Sequence, residues 1–413
     1  AVIENKFDNY LAQYSPDGKK VAFVEGRRTL KVKDLKSKKE TTLLTPKDLF
    51  HMRDGDQNFT WSPDSKWLLV DWGKTLSNGE VLLMAADGSK RVNLNESGYY
   101  DSSPKWVNDG KQMIWFSNRN GLKSYATSGQ SQNDVYSMFF TQDAWDEFNL
   151  SDEEFKLMKA IKEEAKKATD KAKKEKKDDK KSKDKKKADK KKTVTPLTFD
   201  WNHMKDRTRR LTIHSSSLGD AVLSKKGDVL YYLSRFEGKS NLWSTNLRTR
   251  ATKMVLKSDT RGGSLQWDKE KKNLYLLSSG KISKITPTDW KQKGVKIKGE
   301  MLFDEAAERT AMFDHVWIRT NAIFYEPSFH GVNWKQLKKE YQKYLPHIGN
   351  GFEFSEMLSE MLGELNVSHA GSGYRGGEIS NADATASLGI FMNYNYKGDG
   401  ILIDEIINGG PLD

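Results

Sequence analysis

The sequence predicts a mainly β protein with an α subdomain: a β-propeller of four-stranded blades followed by a small helical domain. Three observations carry this expectation. A short motif, an aromatic or Leu followed by a polar turn and an apolar strand, recurs through the first 300 residues. Its period is that of one four-stranded blade. Near residue 300 the apolar pattern changes to a helical one.

The motif reads YSPDGKKVAFV (Tyr14–Val24), WSPDSKWLLVD (Trp61–Asp71), WVNDGKQMIWFS (Trp106–Ser117), LSKKGDVLYYLS (Leu223–Ser234) and WDKEKKNLYLLS (Trp267–Ser278). Tyr14 to Trp61 is 47 residues, Trp61 to Trp106 is 45, and Leu223 to Trp267 is 44. An Asp-Gly turn reverses the chain through positive φ, and the strand after it buries apolar side chains against neighbouring blades. Thr29–Leu35, Glu80–Gly88 and Asn241–Leu247 supply later strands of the units. Five units are visible, and a sixth would have to hide around the insertion described next. The motif resembles the Ser-Pro-Asp-Gly-Lys propeller repeats of peptidases and translocation-associated proteins. A propeller by itself specifies no chemistry.

Residues 151–193 interrupt the series with 19 Lys against 11 Asp and Glu, or +8, so the other 370 residues carry only +4 of the net +12. The basicity is local. Phe155, Leu157, Met158 and Ile161 give one or two amphipathic turns. Beyond Ala168 nothing remains to bury, and a solvated helix or coil is expected. No aromatic follows Phe155 within the run, so the stacking platform of a nucleic-acid binder is missing. The segment reads as a surface insertion between two strands, and no nucleic-acid partner is expected.

Met301 to Tyr325 predicts a long amphipathic helix through Phe303, Ala307, Ala311, Phe313, Val316, Trp317, Ile323 and Phe324, ended by Pro327 and Gly331. Asn333 caps a second helix with Trp334, Leu337, Tyr341 and Tyr344 as its stripe and Pro346 after it. A third, Phe354 to Leu365, carries Phe354, Met357, Leu358, Met361, Leu362 and Leu365. These stripes read as the core of a small domain.

The third helix runs into GELNVSHAGSGY, Gly363 to Tyr374. A lone histidine among small residues is, by itself, a surface or capping residue. Together, however, GVNWKQLKKEYQKYL, FSEMLSEMLGELNVSHAG and the propeller repeats before them resemble the tricorn-type proteases. There a helical catalytic subdomain ends in a Gly-Glu-Leu-x-x-Ser-His signature. The resemblance implies that His369 is the general base for a serine nucleophile and Ser368 its orienting neighbour. Imidazole, with an ordinary pKa near 6.5, accepts the hydroxyl proton and returns it to the leaving amine. His51, His203, His214, His315, His330 and His347 lack paired ligand spacing and read as non-catalytic, and no metal or cofactor is expected. Ser372 lacks a strand-turn-helix elbow and is a poor nucleophile candidate.

Ala386–Asp413 resembles the first half of a PDZ domain, with Ser387-Leu388-Gly389-Ile390 as its carboxylate-binding loop. No Gly-x-Ser-x-Gly occurs, so the nucleophile is expected beyond residue 413. The expected domains are a propeller at 1–299 carrying the insertion, a helical catalytic subdomain at 300–381, and a truncated PDZ-like start at 382–413.

The resemblance implies a serine endopeptidase acting on peptides, inactive as this stretch alone, with homo-oligomeric assembly in full-length form. The alternative is a non-enzymatic propeller scaffold for protein–protein interaction. Cysteine is absent, which excludes disulfides, thiolate metal sites and cysteine nucleophiles. No apolar run of about 18 residues could span a membrane. The first residues do not form a signal peptide. The family default is cytoplasmic, and periplasmic if a signal peptide lies upstream.

Overall fold

The computed structural model describes residues 2–50, 58–75, 78–124, 131–178, 195–236, 238–376 and 387–413, with side chains of 166–178 set aside. His51, residues 179–193 of the lysine-rich insertion and the start of the PDZ-like segment lie outside them. The chain divides into two compact units, 1–298 and 299–413.

In the first unit, five successive segments each form a four-stranded antiparallel sheet in chain order. The first holds β1 (Asn9–Tyr14), β2 (Lys20–Glu25), β3 (Thr29–Asp34) and β4 (Glu40–Leu44). The second holds β5 (Phe59–Trp61), β6 (Trp67–Gly73), β7 (Gly79–Ala85) and β8 (Arg91–Asn93). The third holds β9 (Asp101–Val107), β10 (Gln112–Ser117) and β11 (Asp134–Phe139), then helices α1 (Gln142–Asn149) and α2 (Asp152–Asp178), and only then β12 (Thr208–Arg210). The fourth holds β13 (Ser217–Leu223), β14 (Val229–Arg235), β15 (Ser240–Asn246) and β16 (Thr252–Thr260). The fifth holds β17 (Ser264–Trp267), β18 (Leu274–Ser278), β19 (Lys281–Thr286) and β20 (Lys291–Gly294).

The strands' two-residue period explains how these sheets stack as blades. Leu68 and Val70 join a core with Ala22, Val24 and Val32 of the first sheet. Leu69, between them, joins Met113, Trp115 and Met138 of the third. Ile114 and Phe116 then pack on Leu223, Leu230 and Tyr232 of the fourth. Leu233 and Leu242 pack on Leu265, Leu274 and Ile285 of the fifth. Middle strands are covered on both faces, which is why they read as continuous apolar runs rather than as clean alternation.

The repeated motif has a physical basis. Its serine donates to the turn aspartate (Ser15–Asp17 2.7 Å, Ser62–Asp64 2.6 Å, Ser224–Asp228 2.6 Å) and accepts the N–H that opens the next strand. The turn's last position needs left-handed backbone, φ +71° at Gly18 and +74° at Gly227, while Ser65 adopts +62° and Lys271 +53°. Each motif tryptophan also ties its blade to the preceding one. Trp61 Nε1 donates to Gln13 O (3.1 Å), Trp106 Nε1 to Thr60 O (3.1 Å) and Trp267 Nε1 to Leu223 O (2.7 Å). Carboxylates repeat the device: Asp71 accepts from Ser103 N at 2.7 Å and Asp220 from Leu265 N at 2.7 Å.

Helix α2 continues beyond the amphipathic turns to Asp178, as helix rather than coil. It is secured at its root. Arg248 of the fourth blade donates to Glu147 O, Phe148 O and Leu150 O at the end of α1 (3.1, 3.3 and 2.6 Å) and lies 3.7 Å from the Phe155 ring centroid. A cation on the last carbonyls of a helix satisfies groups that have no partner within it.

The second unit contains α3 (Glu305–Ile323), α4 (Trp334–Gln342), α5 (Gly351–Gly363) and a hairpin of β21 (Ile390–Met392) and β22 (Ile403–Ile406). Helix α3 starts four residues later than the apolar stripe suggested, because the Asp304 side chain caps it by accepting from Ala307 N at 3.0 Å. Helix α5 starts earlier, because Asn350 caps it through Phe352 N and Glu353 N, both at 3.0 Å. Phe313, Trp334, Leu337, Phe354, Met357, Leu358, Met361 and Leu365 form the buried core.

Candidate active site

Two indoles brace the helices from within. Trp317 Nε1 donates to Trp334 O at 2.9 Å, and Trp334 Nε1 donates back to Trp317 O at 3.2 Å. Their rings are parallel to within 6° at 6.5 Å. Trp334 stacks on Phe329 at 5.6 Å and Phe329 on Phe324 at 5.1 Å, and the edge of His330 meets Phe324 at 5.6 Å. The column therefore ends at His330.

His330 Nδ1 lies 2.9 Å from Leu365 O, and its Nε2 lies 2.7 Å from Tyr325 Oη. A carbonyl only accepts, so Nδ1 carries the proton. In the neutral ring Nε2 then accepts from the Tyr325 hydroxyl. Leu365 follows α5 directly, its side chain 1% exposed within the core.

Beyond Leu365 the chain reverses. Asn366 takes φ +48° and His369 +61°, left-handed values that side chains bearing a Cβ seldom adopt. The chain then returns along α5. Ser359 Oγ accepts from Ser372 N at 2.9 Å and donates to Ser372 O at 3.1 Å. Tyr374 meets Phe352 edge-on at 5.0 Å. A Cβ on Gly351 would meet the Tyr374 ring, so a side chain at the start of α5 would have to displace that ring.

Ser368 and His369 sit at this reversal, both exposed to solvent. Among the described residues neither side chain makes a hydrogen bond or ion pair, and the pair is not joined by one. His203 pairs with Asp206 at 3.2 Å on the blade unit, and no cluster of three potential metal ligands occurs among the described residues.

Sequence reasoning read His330 as non-catalytic for want of paired ligand spacing, and gave no hint of its bond to Leu365, 35 residues away. The clasp between Ser359 and Ser372 was also missed. The small residues Gly371 and Gly373 around Ser372 were the available signal for a close return of the chain.

Stacked four-stranded blades followed by a three-helix unit with an exposed Ser-His turn define a propeller protein with an appended helical domain. Residues 305–363, from α3 to the end of α5, match the family described as the tricorn protease C1 domain. The match ends five residues before Ser368. A tricorn protease homolog of Streptomyces coelicolor, homolog 2, is 34% identical over 67 residues, which is 16% of this chain and 6% of that protein. A crystal structure of the tricorn protease superposes with a TM-score of 0.58 at 14% identity, covering 97% of this chain and 37% of that one. At such identity the likeness is one of fold. The chain is related to the tricorn-type proteases, by sequence through its helical unit and by fold along nearly its whole length.

Proposed function

We propose that this chain supplies the general base of a tricorn-type serine endopeptidase that hydrolyses peptides. One observation carries the reading: just after a segment matching the tricorn protease C1 domain, an imidazole with no partner among the described residues stands exposed on a turn pinned at Leu365 and Ser372. In this reading His369 takes the proton of a serine hydroxyl as it attacks the scissile carbonyl. It then delivers that proton to the departing amine. Ser368, its chain neighbour, orients the ring once substrate closes the site, and Gly371 and Gly373 leave room for the peptide backbone. The attacking serine and the oxyanion donors are proposed to come from outside these 413 residues.

The test is peptide hydrolysis by the natural protein that carries this chain. His369→Ala should lower kcat/KM by roughly 10³-fold or more with the melting curve unchanged. Undiminished turnover in the variant would leave the propeller as a non-enzymatic scaffold.

A further inference from the structure

We propose that His330 is a positioning residue for His369, acting through the backbone of the Leu365–Ser372 turn. The inference rests on reading His369 as the base, but its structural part can be tested without that reading. A side chain bearing a Cβ holds positive φ only where its surroundings over-determine the conformation. Here Asn366 and His369 both do so, between two polar clamps. Downstream, Ser359 grips both backbone polar groups of Ser372. Upstream, His330 holds the Leu365 carbonyl at the point where α5 gives way to the turn.

His330 suits that task because it is itself fixed from three sides. The Phe324 ring abuts it, the Tyr325 hydroxyl occupies Nε2, and its own backbone is held at φ +53°. Occupation of Nε2 by a donor leaves the proton on Nδ1, so the bond to Leu365 O has a set direction. Substituting alanine removes the donor and lets the turn sample other conformations. Substituting asparagine places an amide nitrogen where Nδ1 stood. A displacement of about 1 Å at a reacting group can cost on the order of 10²-fold in rate.

Two measurements test this. In the 413-residue chain, the His369 ring Cε1–Hε1 signal is identified by its loss in His369→Gln. His330→Ala should shift or broaden that signal, and His330→Asn should return it to the wild-type position. In the natural protein, His330→Ala should lower kcat about 10²-fold with KM nearly unchanged, and His330→Asn should recover most of it. A His369 signal unmoved by His330→Ala overturns the proposal, as does an Asn variant as perturbed as the Ala variant. A natural protein without peptidase activity would sink the reading of His369 as a base, while the ring signal would still decide whether His330 sets its position.

Discussion

In the blades, several polar side chains reach the backbone of a neighbouring sheet, as with Trp106 on Thr60 and Asp71 on Ser103. In the helical unit His330, bonded through both ring nitrogens, holds the start of a turn whose own imidazole is left to solvent. Both regions spend tryptophan indoles on carbonyls, yet to different ends. The blades use them at Trp61, Trp106 and Trp267 to keep a stack in order. The helices use a reciprocal pair to fix one corner of the unit. Polar groups that cross from one blade to the next hold the stack in register, whereas Ser368 and His369 stand exposed on a turn anchored at Leu365 and Ser372.

Three substitutions sharpen that contrast, in falling order of effect. Trp334→Ala removes a buried ring and the bond its Nε1 donates to Trp317 O, and should destabilise the helical unit by about 3–5 kcal/mol. Differential scanning calorimetry should then show an early transition for that unit, with the blade transition in place. A blade transition that fell equally would show that the two units unfold as one.

Asp71 comes next. Burial pushes its carboxyl up to about 7, against the bonds it accepts from Ser103 and Asn58. A pKa raised on folding means that the group's stabilising contribution is complete below its unfolded value of 3.8 and is lost as pH rises toward about 7. The slope is about 1.4 kcal/mol per pH unit. Asp71→Asn keeps an acceptor for Ser103 N and cannot ionise. Relative to wild type, the variant should gain stability across that window in urea titrations. Parallel pH profiles would remove the ionisation argument. Last, Trp106→Phe keeps most of the ring but loses the bond to Thr60 O, and should cost about 1 kcal/mol in the blade transition alone. No change would mean that the indole stitch adds nothing beyond ring packing.

The blades were legible because the same physical need recurs every blade, and the turn aspartates and tryptophans that meet it recur with it. The helices were legible as stripes, but their starts were not. Apolar Leu302 and Phe303 extend the α3 stripe beyond Asp304, whose cap sets the true beginning. His369 was named through resemblance to a family, since its residues alone fit a surface histidine equally well. The bond of His330 to Leu365 was invisible, because a long-range contact to a backbone carbonyl leaves no mark on the acceptor's side chain.

The placement of α1 and α2 between β11 and β12 has a consequence for synthesis on the ribosome. Tyr136 and Met138 pair with Arg210 and Thr208, partners that emerge only after the whole helical excursion has been translated. Through that interval the nascent third sheet presents an open edge, the kind of template on which other chains can add strands. The tract that follows it out of the tunnel is crowded with lysine. Charged residues flanking an apolar strand are a general means of discouraging such addition.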